Sequence, residues 1–247
     1  LTKLSLSHFQ FDEAGAQALV QAKWPELTSV FLQRCVLGEA GSRALSQVHW
    51  PHLTSLTFYQ VDMGEADLYE LSQAKWSNLT SLGLSAKISK SGLCALMQAH
   101  CPALTDLSLP YTQIDDSLLH AFVQANWPHL TKLNLDYGRI EKVDLSILAG
   151  ANWTHLVEFR FESCKIGDVG AQGLAQAPWL HLRTLHLAHN NIGDVGAQAI
   201  AQANWPHLTV LYLWDNNIGD IGARALVQAH WPELRNLALG TNQIGEA

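Results

Sequence analysis

The chain is built from a block of about 26 residues that recurs ten times from end to end. Each block opens on a leucine, and successive opening leucines are evenly spaced except in the fourth interval, which is one residue shorter than the others. The opening residues are Leu1, Leu27, Leu53, Leu79, Leu104, Leu130, Leu156, Leu182, Leu208 and Leu234. A fixed period of this length predicts one supersecondary unit that is stacked on copies of itself.

The first half of each block predicts a short strand. In the eighth block, Leu185 and Leu187 alternate with polar neighbours, which is typical of a strand with one buried face. The block follows the pattern L-x-x-L-x-L-x-x-N-x-I, with Asn190 at the asparagine position and Ile192 at its end. Parallel strands from successive blocks are therefore expected to lie side by side in one sheet.

The second half of each block predicts a short helix. Asp168, Asp194 and Asp220 each follow a glycine at the place where a helix N-cap is expected. A second glycine stands two residues after each aspartate, at Gly170, Gly196 and Gly222. Glycine weakens a helix, so its recurrence predicts close approach of the neighbouring helix. This glycine-alanine pattern fades in blocks three to six, the fourth block is one residue short, and Pro110 stands at the end of the fifth strand, where it cannot donate to the sheet. A local distortion of the arc is therefore predicted near residues 85–112.

Two further residue types recur near the end of the helix. A tryptophan ends the helix at Trp24, Trp50, Trp76, Trp127, Trp153, Trp179, Trp205 and Trp231. A glutamine precedes it at Gln21, Gln47, Gln73, Gln98, Gln124, Gln176, Gln202 and Gln228. Strict recurrence predicts that the tryptophans form a buried column and that the glutamine amides bond main-chain groups between repeats.

These motifs resemble the leucine-rich repeat family. Asn190, Asn216 and Asn242 occupy the family's asparagine position, and Cys35 and Cys164 replace it in two other blocks. A strand and a helix per repeat resemble the ribonuclease-inhibitor subtype, and the GAQALVQA-type helix resembles bacterial GALA and Legionella-type effector repeats. The resemblance implies an α/β solenoid, a horseshoe arc with a parallel concave sheet and helices on the convex side. It also implies that the Asn or Cys bonds the backbone of the turn leaving the strand.

The length, composition, net charge and cysteine content limit the class of protein. The sequence has 247 residues and 48% hydrophobic content, which predicts a single domain over 1–247, a fragment lacking its N- and C-terminal caps. A net charge of −7 without a basic cluster argues against nucleic-acid binding. No apolar run approaches the roughly 18 residues of a membrane span. The four cysteines stand singly, which favours a reducing, cytoplasmic compartment. The effector resemblance adds secretion into a host cytosol as an alternative.

The candidate binding residues are those that should point away from the core of the strands. They differ between blocks whereas the leucines repeat, as expected of a surface shaped for a partner protein. The predicted partner-binding residues are Tyr111, Asp136, Tyr137, Arg160, Glu162, His186, His189, Tyr212, Trp214 and Asp215. Trp214 is the only tryptophan outside the column, and large exposed aromatic residues are enriched in binding hot spots. The alternative is that Trp214 folds over Ala188 and Gly240.

Two clusters leave other chemistry open. Glu158, Arg160 and Glu162 should face the hollow, with Lys132 beside Glu158 and Asp136 beside Glu162. Paired carboxylates could act as general acid and base, or they could hold a cation. In the other interpretation, Arg160 neutralises them and the cluster steers a basic group of a partner. A second cluster comprises histidines just before the strands, at His52, His129, His155, His181 and His207, which suit either a metal site or a solvated turn.

The sequence therefore predicts a non-enzymatic module that binds a protein through its concave face. No catalytic residue, metal, cofactor or small-molecule substrate is predicted. The effector resemblance implies capture of a host protein. Two alternatives stay open, namely a regulatory enzyme such as a GTPase-activating protein built on similar repeats, and a sensor whose curved surface holds an autoinhibitory segment.

Overall fold

Every block opens with a short strand that contains the alternating leucines. The computed structural model describes residues 1–85, 88, 90–125, 127–140 and 143–245. The chain divides into two compact units. The first comprises Leu1–Thr112 and Ala125–His129, and the second comprises Gln113–Gln124 and Leu130–Ala247.

The first unit contains five parallel strands in the order of the chain. The strands are β1 (Lys3–Ser7), β2 (Ser29–Gln33), β3 (Ser55–Tyr59), β4 (Ser81–Ser85) and β5 (Asp106–Ser108). Its helices are α1 (Glu13–Gln21), α2 (Gly38–Gln47), α3 (Glu65–Ser72) and α4 (Lys90–Leu96). The strands pair in parallel with equivalent residues of successive blocks opposite each other.

The short fourth block keeps its place in this sheet. Ser55 pairs with Ser81, and Ser81 pairs in turn with Asp106, so the missing residue shortens the second offset without disturbing the pairing. A distortion was predicted near residues 85–112. Within that range, residues 86, 87 and 89 lie outside the described part of the chain. The paired strands β4 and β5 themselves show no slip of register.

The second unit contains five parallel strands of the same kind. They are β7 (Lys132–Asn134), β9 (Glu158–Arg160), β10 (Thr184–His186), β11 (Val210–Tyr212) and β12 (Asn236–Ala238). The short strands β6 (Gln113–Ile114) and β8 (Arg139–Ile140) form a separate parallel pair. The α-helices are α5 (Asp116–Gln124), α6 (Gly167–Leu174), α7 (Asp194–Ala201) and α8 (Asp220–Val227), and a 3₁₀ helix at Leu145–Gly150 takes the place of an α-helix in the sixth block.

The leucines form the core, as the alternation predicts. Leu185, Leu187, Leu211 and Leu213 are all 0% exposed, and they lie on the face of the sheet that the helices cover. The side chains that alternate with them form the other face of the second unit's sheet, which we call the open face. The α/β repeat fold is confirmed.

The tryptophan column is also confirmed. Seven of its eight members are buried. The rings of Trp179 and Trp205 stack with centroids 6.3 Å apart and an interplanar angle of 15°. The Trp205 indole also donates a hydrogen bond to the Ala177 carbonyl at 3.2 Å. The buried tryptophans therefore stabilise the stack.

The glutamine prediction is wrong. All eight recurring glutamines are exposed, so they form no buried ladder between repeats. At Gln202 the backbone N–H closes the end of the helix by donating to the Ala199 carbonyl, and the side chain is exposed to solvent. Glutamine is a good helix former, which is reason enough for its recurrence there.

The asparagine position links three consecutive turns. Asn190 donates from Nδ2 to the carbonyl oxygens of Phe161 (2.6 Å) and Ala188 (3.1 Å), and its Oδ1 accepts from the Cys164 N–H (3.0 Å). Cys164 reproduces part of this pattern, because its Sγ lies 3.3 Å from the Leu135 carbonyl. Burial raises the pKa of the Cys164 thiol to about 12. The cysteine therefore keeps its proton and acts as a donor to the backbone.

The aspartates cap the helix of the following repeat rather than their own. The Asp168 Oδ1 accepts from the Gly193 N–H (2.7 Å) and the Gly196 N–H (2.9 Å), and Gly193 is the N-cap residue of α7. Asp194 bonds Gly219 and Gly222 at the start of α8 in the same way. A Cβ on Gly196 would lie 2.7 Å from the Asp168 Oδ1, which explains the recurring glycine.

Replacing Asp194 with alanine is expected to lower the free energy of unfolding by about 1–2 kcal/mol, because two N–H groups at the start of α8 lose their acceptor. Urea unfolding followed by circular dichroism measures the loss. Asp220 accepts from Gly245 at the exposed end of the described chain, so Asp220→Ala serves as the control with a smaller loss. Equal losses for the two variants would refute capping between repeats.

Candidate functional site

A polar cluster lies on the open face where β7, β9 and β10 run side by side. It comprises Lys132, Asp136, Glu158, Arg160, Glu162 and His186. The register places Lys132 opposite Glu158, and it places Arg160 between Asn134 and His186. The expected neighbours are therefore brought together, with Lys132 Nζ 3.5 Å from Glu158 Oε2.

Asp136 is the buried member of this cluster. Its Oδ2 lies 2.9 Å from Arg160 Nε, and its Oδ1 accepts from the Glu162 N–H at 2.8 Å. Asp136 is only 3% exposed, because Arg160 and the backbone of Glu162 engage both carboxylate oxygens. The prediction that Asp136 itself forms part of the binding surface is therefore corrected. The residue fixes Arg160, and Arg160 is the group that reaches the surface.

His186 closes the cluster on its other side. Its Nδ1 lies 2.9 Å from Glu162 Oε1, and its Nε2 lies 3.9 Å from Glu158 Oε1. Burial lowers the pKa of His186 below 6.5 and the charge of Arg160 lowers it further, although Glu162 and Glu158 act in the opposite direction. The three carboxylates around Arg160 hold the pKa of its guanidinium above its ordinary value despite its partial burial. At pH 7 the cluster therefore contains a neutral imidazole and a charged guanidinium.

The lowered pKa of His186 predicts a loss of stability in mild acid. The unfolded chain takes up this proton near pH 6.5, whereas the folded chain takes it up only at lower pH, so the contribution is present above pH 6.5 and is lost as the pH falls. The measurement is the melting temperature of the parent and of His186→Gln between pH 7.5 and 5. We expect the parent to lose stability more steeply. Parallel curves would contradict the assignment.

An aromatic patch lies next to the polar cluster on the same face. It comprises Tyr212 and Trp214 with the histidines they contact. The rings of His186 and Tyr212 have centroids 4.6 Å apart, and the His189 ring meets the Trp214 ring edge-on at 4.2 Å. His189 Nδ1 also contacts Oδ2 of Asp215. Trp214 is 38% exposed, so a large part of the indole faces solvent.

Ala188 departs from the expectation for this face. It is 0% exposed, although its place in the alternation puts it on the open face. Its neighbours on the face carry much larger side chains, and an alanine methyl group does not rise above them. The open face is thus defined by the aromatic and charged side chains on either side of Ala188.

Several predicted site residues lie in the turn after the strand. Tyr137, His189 and Asp215 have φ values of 60°, 55° and 53°. Tyr111 has the same conformation (φ 64°) and belongs to the first unit, whereas the other nine predicted residues belong to the second. A residue with positive φ recurs at this position of the repeat. The residues are His8, Arg34, Gln60, Tyr111, Tyr137, Ser163, His189, Asp215 and Thr241. Since it recurs whatever the side chain, the conformation belongs to the repeat and not to a site.

The histidine column exists but does not converge on a metal. The rings of His155, His181 and His207 stack at 6.1 and 6.4 Å. His181 Nδ1 lies 2.8 Å from the Thr154 carbonyl, and His207 Nδ1 lies 2.8 Å from Glu233, a contact that lowers the pKa of this carboxyl. No group of three or more side chains that could hold a metal ion occurs among the described residues.

The geometry can now be compared with known proteins. Residues 154–175, 180–201 and 206–227 match the family model described as "Leucine Rich repeat". These segments are leucine-rich repeats. They carry most of the polar cluster and the whole aromatic patch. No curated protein sequence matches the chain significantly.

Solved structures with leucine-rich repeats share the fold. An internalin (inlF) from Listeria monocytogenes is 19% identical with a TM-score of 0.62, and the match covers 94% of this chain and 65% of the internalin. Internalin C2 from the same species is 20% identical with a TM-score of 0.50, covering 85% and 77%. The ectodomain of the Arabidopsis thaliana receptor kinase GASSHO1/SCHENGEN3, in complex with CASPARIAN STRIP INTEGRITY FACTOR 2, is 20% identical with a TM-score of 0.52, covering 99% and 30%.

This chain thus spans about two thirds of the first internalin and less than a third of the plant ectodomain. At these identities the likeness shows the fold. Within the described residues, none of the helices has the length and apolar character that crossing a membrane requires.

Proposed function

We propose that the leucine-rich repeats bind a partner protein through the open face of the second unit. The observation that carries this proposal is the exposed indole of Trp214, which lies two residues after Tyr212 on the same face as the cluster of charges. Rigid aromatic residues next to positioned polar groups are the usual anchors of protein interfaces. The plant ectodomain, whose structure is a complex, offers a precedent for binding by this fold.

We further propose a role as an effector module that captures a host protein. The support comes from the sequence, in which the GAQALVQA-type helices resemble bacterial effector repeats of the ribonuclease-inhibitor subtype. The four cysteines are free thiols, as expected of a protein that works in a reducing cytosol.

Affinity capture from eukaryotic cell lysate tests the proposal. The parent chain is compared with the double variant Tyr212→Ala, Trp214→Ala. The matched control is Val195→Ala, Ile221→Ala, which removes exposed aliphatic side chains from helices of the same repeats. We expect one partner to be retained by the parent and the control and lost by the aromatic variant. Retention by the aromatic variant would place the interface elsewhere.

A further inference from the structure

We infer that the open face of the second unit receives a basic segment of its partner, with a lysine or arginine side chain seated against Tyr212 and Trp214. The inference rests on the proposed function and specifies the chemistry of the partner. It follows from the charges that remain on this face once its internal ion pairs are counted, and from the rings that adjoin them.

The charged side chains of the face carry an excess of negative charge. On the strands they are Lys132, Asp136, Glu158, Arg160 and Glu162, and Asp215 adjoins them in the turn after Trp214. The three carboxylates on the strands exceed the two cations by one negative charge, and Asp215 adds a second. The neighbouring His186 is neutral at pH 7 because its pKa is lowered, and it leaves this excess unchanged.

The two cations of the face are already engaged by its own carboxylates. Arg160 lies 2.9 Å from Asp136 and 3.7 Å from Glu162, and Lys132 lies 3.5 Å from Glu158. An acidic partner would have to displace these contacts and would meet the excess negative charge. A basic partner would meet complementary charge without breaking any of them.

The aromatic patch supplies the second half of the recognition. Tyr212 is the last residue of β11, Trp214 follows it in the turn, and Asp215 comes directly after the indole. A cation near the face of such a ring is attracted by its quadrupole, and a nearby carboxylate adds to this attraction. The T-shaped contact between the rings of His189 and Trp214 restrains the indole before a partner arrives. Preorganisation of this kind lowers the entropic cost of binding.

Three fluorescein-labelled peptides of the same glycine-serine sequence test the inference by fluorescence anisotropy at low ionic strength. One carries four arginines, one carries four glutamates and one carries four leucines. We expect the arginine peptide to bind at least about tenfold more tightly than the other two, and added salt to weaken it. Weaker than millimolar binding by the arginine peptide, or tighter binding by the glutamate or leucine peptide, would overturn the inference.

A charge-matched pair of variants separates this site from general attraction to an acidic protein. Glu158→Gln, Asp215→Asn removes two charges from the face, and Glu13→Gln, Glu26→Gln removes two exposed charges from the first unit. The first variant is expected to weaken the arginine peptide about tenfold, and the second less than about twofold. Equal weakening would also overturn the inference. If the peptide test fails while a captured protein still depends on Tyr212 and Trp214, the proposed function stands and only the basic partner is rejected.

Discussion

Replacing Asn216 with leucine is expected to lower the free energy of unfolding by about 3–5 kcal/mol, because buried backbone groups of two repeats lose their partners. Asn216 is 5% exposed, and its Oδ1 accepts from the N–H groups of Asn190 and Ile192, both at 3.0 Å. Its Nδ2 donates to the carbonyl oxygens of Leu187 and Leu213, also at 3.0 Å. A leucine has a similar volume but satisfies none of these four groups.

Urea unfolding monitored by circular dichroism measures this loss. The control is Asn217→Leu, at the next residue, whose side chain is exposed. A surface substitution of this kind is expected to change the free energy of unfolding by less than about 0.5 kcal/mol. Similar losses for the two variants would mean that the amide of Asn216 does not hold the turns together.

Replacing Arg160 with leucine is expected to cost about 2–4 kcal/mol, because it leaves the carboxylate of Asp136 buried without its counter-charge. The side chain of Asp136 is 5% exposed, and a leucine at position 160 offers it no donor. Adding Asp136→Asn to this variant removes the buried charge while its amide oxygen still accepts from the Glu162 N–H. We therefore expect the double variant to recover at least half of the loss.

The exposed ion pair nearby provides the comparison for Arg160. Lys132 is 55% exposed at 3.5 Å from Glu158, and Lys132→Leu is expected to cost less than about 1 kcal/mol. The free energies of unfolding of the three variants and of the parent form the test. If Asp136→Asn fails to rescue Arg160→Leu, the loss arises from packing of the arginine stem and not from the stranded carboxylate.

The strands and the core were predictable because their signal repeats within the sequence itself. The positions of Leu185 and Leu187 recur in block after block, so one correctly assigned block assigns the others. The neighbours of Arg160 followed in the same way, since parallel strands with a fixed offset place equivalent residues side by side. The register of the polar cluster was thus available from the sequence.

Interactions between repeats were harder to predict. Asp168 has the local pattern of an N-cap for its own helix, yet its carboxylate bonds the start of the next one, and only the spacing of the stacked helices decides this. The burial of Asp136 depends likewise on where Arg160 folds back. The left-handed turn at His189 was missed because simple alternation was extended beyond the strand end at His186. A residue that follows a strand no longer obeys a period of two.

The prediction for the glutamines was wrong because side chains can recur without being buried. Gln176 and Gln202 recur as regularly as the tryptophans, but they are exposed at the helix ends. Recurrence alone does not distinguish a core position from a favourable surface position. The glycine-alanine pattern is likewise not required for an α-helix, because blocks three to five lack it and keep α3, α4 and α5, whereas the sixth block forms a 3₁₀ helix at Leu145–Gly150.

Site-specific photo-crosslinking tests the central claim most directly, because it reports which face of the repeats the partner touches. A photoreactive amino acid is placed at Val210 on the open face, and in a second variant at Val195 on α7. The account predicts that the captured partner crosslinks from position 210 and not from position 195. Crosslinking from position 195 with none from position 210 would show that the helical side binds the partner, and would contradict the account.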